Sequence, residues 1–176
     1  VIHLDHAWCF TVRNNMIIFN GGDGLAYSHW DGWVCENIFN NNNGYGIRGI
    51  APNASVSVVS NRIEWNHRGG MLVEGGGHYH INDNYIDRSG GPALTLRGRA
   101  EAPVHTVAVT GNLIYRSGAR AATDSLESSH LLFEHIAGLS CTGNAMTVGG
   151  NDSSGGVISP QNGLVLRGLI NSYVAG

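Results

Sequence analysis

The sequence predicts an all-β chain wound as a right-handed parallel β-helix, a solenoid with three strands per coil. Three observations carry that prediction. An asparagine recurs in a fixed apolar frame, residues around it alternate with period two, and the composition is rich in turn formers. The 176 residues include 26 Gly, 18 Asn and no Lys, with 42% apolar and only 13% charged residues. That apolar fraction argues against disorder, and the Gly and Asn density argues against helices.

The frame begins at Asn15, flanked by Val12 at −3 and Ile17 at +2. It recurs at Asn37 (Val34, Phe39), Asn61 (Val58, Ile63), Asn84 (Ile81, Ile86), Asn112 (Val109, Ile114) and Asn144 (Cys141, Met146), at spacings of 22, 24, 23, 28 and 32 residues. Positions −5, −3 and +2 are apolar, whereas −4, −2 and +3 are mostly polar or small, as expected of strands. Each asparagine then marks a corner between two short strands, because Asn tolerates left-handed backbone. A further strand follows at a glycine in GLAYS (24–28), GIRGI (46–50), GMLVEG (70–75), PALTLRG (92–98), HLLFE (130–134) and GLVLRG (163–168). A repeat of about 23 residues implies about seven coils, stacked at about 4.8 Å with an asparagine ladder along one corner.

The reading treats residues 1–176 as a single domain. No capping helix is evident at either end, so the chain is expected to be a piece of a longer one or to have its ends covered by a partner. Two insertions, 116–130 and 149–163, enlarge the later coils at one corner, and RGRAEAPVH (97–105) enlarges a neighbouring one. Insertions on one edge would wall a groove.

A net charge of −3 gives no general attraction to nucleic acid, and no apolar run is long enough for a membrane-spanning helix. Cys9, Cys35 and Cys141 match neither a disulfide framework nor a zinc motif and read as free thiols. His78 and His80 alternate outward without a carboxylate at ligand spacing, so no metal site is assigned. The oxygen-rich NDSSGG segment (151–156) is the one candidate for Ca2+, and no other cofactor is expected.

Glu64 at +3 and Asp87, its equivalent one coil later, would lie on neighbouring backbones about 4.8 Å apart. Two unpaired carboxylates that close repel, so one would take a raised pKa unless arginine intervenes; an acid beside a base or nucleophile suits glycosidic cleavage. Arg62, Arg68 and Arg88 are close enough in sequence to make the pair a salt-bridge network instead. Glu74 is the third candidate catalytic carboxylate. It belongs to an outward row of Arg48, Glu74, Arg97, Glu134 and Arg167, read either as a self-satisfied charge ladder or as a groove whose arginines fork onto acidic sugars. Trp33, Trp65 and Tyr115 are candidate sugar-stacking rings, and Arg88, Arg97, His130 and Glu134 complete the candidate substrate-binding set.

On these residues the chain resembles the pectate-lyase-like right-handed β-helix superfamily. NRIEWN (61–66), HYHINDNYIDRSGGPAL (78–94), SSHLLFE (128–134) and NDSSGGVISPQNGLVL (151–166) look most like bacteriophage tailspike polysaccharide depolymerases. The resemblance implies a homotrimer, extracellular or on a virion tail, that binds and cleaves a bacterial surface polysaccharide as a glycoside hydrolase or lyase. Two other readings stand beside it: a non-catalytic carbohydrate-binding or adhesive segment, and a purely structural one.

Overall fold

The computed structural model describes residues 1–118, 125–147 and 159–176. In chain order these form β1 (Ile2–Trp8), β2 (Thr11–Arg13), β3 (Met16–Ile18), β4 (Leu25–Cys35), β5 (Ile38–Asn40), β6 (Tyr45–Val59), β7 (Arg62–Glu64), β8 (Gly69–Glu74) and β9 (Gly77–Asn82). They continue with β10 (Tyr85–Asp87), β11 (Leu94–Arg97), β12 (Val104–Thr110), β13 (Leu113–Tyr115), β14 (Ser129–Thr142), β15 (Ala145–Thr147), β16 (Asn162–Ile170) and β17 (Tyr173–Ala175). Among the described residues there is no helix, and hence none long and apolar enough to cross a membrane.

Strand pairing is parallel and brings positions one repeat apart into register. Val12, Val34, Val58, Ile81, Val109 and Cys141, the −3 positions, form one inward column. Ile17, Phe39, Ile63, Ile86, Ile114 and Met146, the +2 positions, form a second. Leu25, Ile47, Met71, Leu94, Leu131 and Leu164 form a third. Away from the two ends these side chains are fully buried, and each contributes about 1.5–3 kcal/mol of burial free energy.

The strands are organised otherwise than as three separate strands per coil. β4, β6 and β14 each run through the place where a corner was expected, so two predicted strands become one. One half of β6 pairs with β8 and the other half with β9, and β14 divides likewise between β11 and β12. The path β6–β8–β11–β14–β12–β9 therefore returns to β6 and closes a ring of six parallel strands within an 11-stranded sheet. The order β15–β13–β10–β7–β5–β3 makes a second, six-stranded sheet. The architecture is a closed parallel β-barrel with a second sheet, which overturns the predicted three-strand-per-coil right-handed β-helix.

The physical cause lies in how the bends are made. His29, Ser55 and His135 take left-handed backbone at φ 78, 57 and 54°, and each bends its strand without ending it. A single such residue acts as a bulge, seen in β4 as a register shift between Tyr27 and His29. Where the strand does end, between β8 and β9, Gly75 and Gly76 both have positive φ, which glycine adopts without strain.

The asparagine frame is also corrected in one detail. The frame residues themselves are not left-handed; the residue before each one is, at Asn14, Glu36, Ser60, Asp83, Gly111 and Gly143. The frame asparagines instead form a column, in which Asn15, Asn37, Asn61, Asn84 and Asn112 each donate Nδ2–H to the Oδ1 of the next at 2.8–3.2 Å. Backbone N–H groups of the same residues donate to the same oxygens. A second column, Asn20–Asn42–Asn66, follows five positions after the first.

Candidate functional site

β7 and β10 place Glu64 and Asp87 in direct register, as the frame required. Their surroundings differ from an open acid–base pair. Asp87 is 0% exposed and accepts three guanidinium contacts: Arg116 Nε at 3.0 Å, Arg116 Nη2 at 2.7 Å and Arg88 Nη1 at 2.5 Å. Glu64 accepts both Nε (2.5 Å) and Nη2 (3.0 Å) of Arg62, a bidentate fork. Arg62 is held further in its charged form by the hydrogen bond it donates to Glu64. The repulsion that would make one carboxyl a general acid is thus compensated by three arginines.

The aromatic candidates are engaged in the same network. Arg88 sits over the Trp65 ring at 4.7 Å, Arg116 over Tyr115 at 4.0 Å and Arg62 over Tyr85 at 4.7 Å. The first two of these cation–π contacts occupy one face of rings, Trp65 and Tyr115, that were read as sugar platforms. Trp33 is 54% exposed on β4 but lines a different surface hollow from the main cleft described below.

The outward row is largely a charge ladder. Register aligns Glu74, Arg97, Glu134 and Arg167 on β8, β11, β14 and β16. Glu134 is clasped between Arg97 (2.8 Å) and Arg167 (3.2 Å), while Glu74 accepts from Arg48 at 2.8 Å. His130 is buried, and that burial pushes its imidazole pKa down against a hydrogen bond with the Thr147 backbone. It lines no described cleft, and its Nδ1 has no hydrogen-bond partner among the described residues.

A cleft of about 740 Å³ opens on the edge where β8 turns into β9 and β11 into β12. Glu74, Arg97, Arg99 and His105 supply its polar lining, and glycines 75, 76 and 98 line it with backbone. The insertion 97–105 forms its wall. Residues 119–124 of the first predicted insertion, most of the 149–163 insertion and the whole NDSSGG candidate for Ca2+ lie outside the described residues. His78 packs edge-on against His105 at 4.8 Å rather than facing His80 across a metal. Among the described residues no group of three or more His, Cys, Asp or Glu side chains is arranged to hold a metal ion.

Two features escaped the sequence reading. Arg116, the two-point partner of Asp87, stands at +4 after Asn112, as Arg88 and Trp65 stand at +4 after Asn84 and Asn61; that shared offset was the available signal. Arg99 and His105 were inside a recognised insertion but were not singled out. No family model matches the chain, and neither a curated protein nor a solved structure matches it. With the closed barrel in place of the predicted coil, the resemblance to pectate-lyase-like proteins and phage tailspikes is withdrawn.

Proposed function

We propose that the chain binds an acidic saccharide in the cleft beside Glu74 and Arg97 and does not cleave it. The observation that carries this reading is the neutralisation of Glu64 and Asp87 by Arg62, Arg88 and Arg116. Arginine forks occupy the carboxylate oxygens that an acid or nucleophile would have to present to a glycosidic bond, and Asp87 is fully buried. The cleft supports recognition instead. Arg99 forms no ion pair with the described residues, and it projects from an exposed position beside half-buried Arg97. A planar guanidinium matches a sugar carboxylate in a two-point fork. Glu74 accepts hydroxyl hydrogens, and the glycine lining lets a pyranose approach the backbone closely.

The test is calorimetric titration with a linear uronic-acid oligosaccharide and with a neutral one of equal length. The acidic ligand binds, the neutral one does not, and Arg99→Ala weakens binding at least tenfold, a loss of about 1.4 kcal/mol. Incubation releases no reducing ends and raises no absorbance near 235 nm. Chain shortening that disappears in Glu74→Gln or Asp87→Asn overturns the reading in favour of catalysis.

A further inference from the structure

A hollow of about 350 Å³ opens on the sheet face where β2, β4 and β6 run side by side, lined by Phe10, Thr11, Asp31, Trp33, Ser55 and Ser57. Thr11, Trp33 and Ser57 are register partners, so a hydroxyl residue stands on each side of the indole at the strand spacing of about 4.8 Å. Asp31 and Ser55 stand two residues earlier on β4 and β6. The Phe10 ring occupies the space that a side chain on Gly32 would need and packs against Tyr27 at 5.4 Å, which fixes the apolar side of the hollow. Trp33 has a paired strand on either side, so its 54% exposure belongs to the sheet face and not to an open edge.

The groups lining the hollow are uncommitted. Trp65 and Tyr115 each lie under an arginine, whereas Trp33 has no ring or cation against it among the described residues. Glu36, Glu64, Glu74, Asp87 and Glu134 are each paired with arginine, whereas exposed Asp31 forms no ion pair with the described residues. Asp31 is the one charged residue of the lining, so the hollow repels an acidic sugar and attracts a cation. The hydroxyls of Thr11, Ser55 and Ser57 make no hydrogen bond among the described residues, and each can both donate and accept. A bare ammonium ion would leave all three idle. A ligand that carries an ammonium on a ring of hydroxyls uses every group present.

We propose that this hollow binds a protonated amino sugar, with its ammonium on Asp31, its C–H face on the Trp33 ring and its hydroxyls on Thr11, Ser55 and Ser57. The ammonium draws electron density from the neighbouring C–H groups, and a more positive sugar face is held more firmly by the electron-rich indole. The site is separate from the cleft at Glu74 and Arg97, shares no lining residue with it and does not depend on it. Its charge preference is also the opposite one, because the cleft offers Arg99 where the hollow offers Asp31.

The experiment is calorimetric titration with a fully deacetylated glucosamine tetramer at about pH 6, below the ordinary amine range, so that its amines are charged. The N-acetylated tetramer, equal in length but neutral, and tetramethylammonium, charged but without hydroxyls, are titrated in parallel. The glucosamine tetramer binds saturably and more weakly as salt is added, and both comparison ligands bind at least tenfold less well. Trp33→Ala and Asp31→Asn each weaken binding at least tenfold. Both residues are exposed, so thermal melts of the two variants match the wild type. Phe19→Ala, which removes a 76% exposed ring outside the hollow, leaves binding unchanged. Absence of binding, wild-type affinity in Trp33→Ala or Asp31→Asn, or equal affinity for either comparison ligand overturns the proposal.

Discussion

Replacing Asn61 by alanine removes a central rung of the amide column. Asn61 is 2% exposed, and its Nδ2 donates to Val34 O at 2.9 Å, Val59 O at 3.2 Å and Asn84 Oδ1 at 3.0 Å. Its Oδ1 accepts from Asn37 N at 3.1 Å and Asn37 Nδ2 at 3.0 Å. Some of these partners survive the loss: Asn37 Nδ2 still reaches Val12 O, and Asn84 Oδ1 still receives Asn61 N–H. The Asn37 N–H loses the amide oxygen that satisfied it in a sealed position, whereas the Val34 carbonyl stays within the β2–β4–β6 ladder. The stranded N–H costs about 1–3 kcal/mol, and the buried space left by the amide adds about 1 kcal/mol or more. That is a large share of the roughly 5–15 kcal/mol that holds a domain folded. Asn144 is the control, because its residue is half-buried and water can replace its bonds, so Asn144→Ala costs about 1 kcal/mol. Urea unfolding at constant m-value measures both. An Asn61→Ala loss no larger than that of Asn144→Ala refutes the view that the column fixes the fold.

Two further outcomes follow from burial. Asp87→Asn leaves Arg116, whose side chain is 7% exposed, without its anion and costs about 3–5 kcal/mol, whereas Glu64→Gln faces a 55% exposed Arg62 and costs about 1 kcal/mol or less; thermal melts giving the reverse order would contradict the assignment. Burial pushes the phenols of Tyr27 and Tyr79 well above their ordinary value, so both stay protonated in the fold while the unfolded chain ionises near about pH 10. Their linkage leaves stability flat below that pH and lowers it as pH climbs toward the folded values; phenolate absorbance at 295 nm from these two residues rises only with unfolding, and early titration of both in the native protein would refute it.

The stacked apolar columns were legible because each has a local signature: a β-branched or aromatic residue at −3 and +2 from an asparagine. Closure of the ring was not. It depends on whether a bend interrupts strand hydrogen bonding, and the bends at His29, Ser55 and His135 use residue types that mark a left-handed turn far less distinctly than glycine does. A glycine or Asn-Gly pair there would have announced a corner. The register of Glu64 with Asp87 was readable from spacing alone, yet their chemistry was decided by Arg116, which is remote in sequence and arrives through the pairing of β10 with β13. Burial of His130 was hidden for a similar reason, since alternation predicted its strand but not what covers it. The cleft was half visible: the insertion 97–105 marked a wall, while its lining at glycines 75 and 76 belongs to another repeat.

Every rung of the amide column passes its hydrogens onward and receives from behind, so the side-chain dipoles all point one way along the molecule. Such a seam has polarity. It can be lengthened only by a segment entering with the same orientation and phase, and a slip of a single residue in any strand would uncouple the two amides on either side of it. A misthreaded or inverted neighbour finds donors opposed to donors there, which makes the seam a checkpoint for order as well as a source of cohesion.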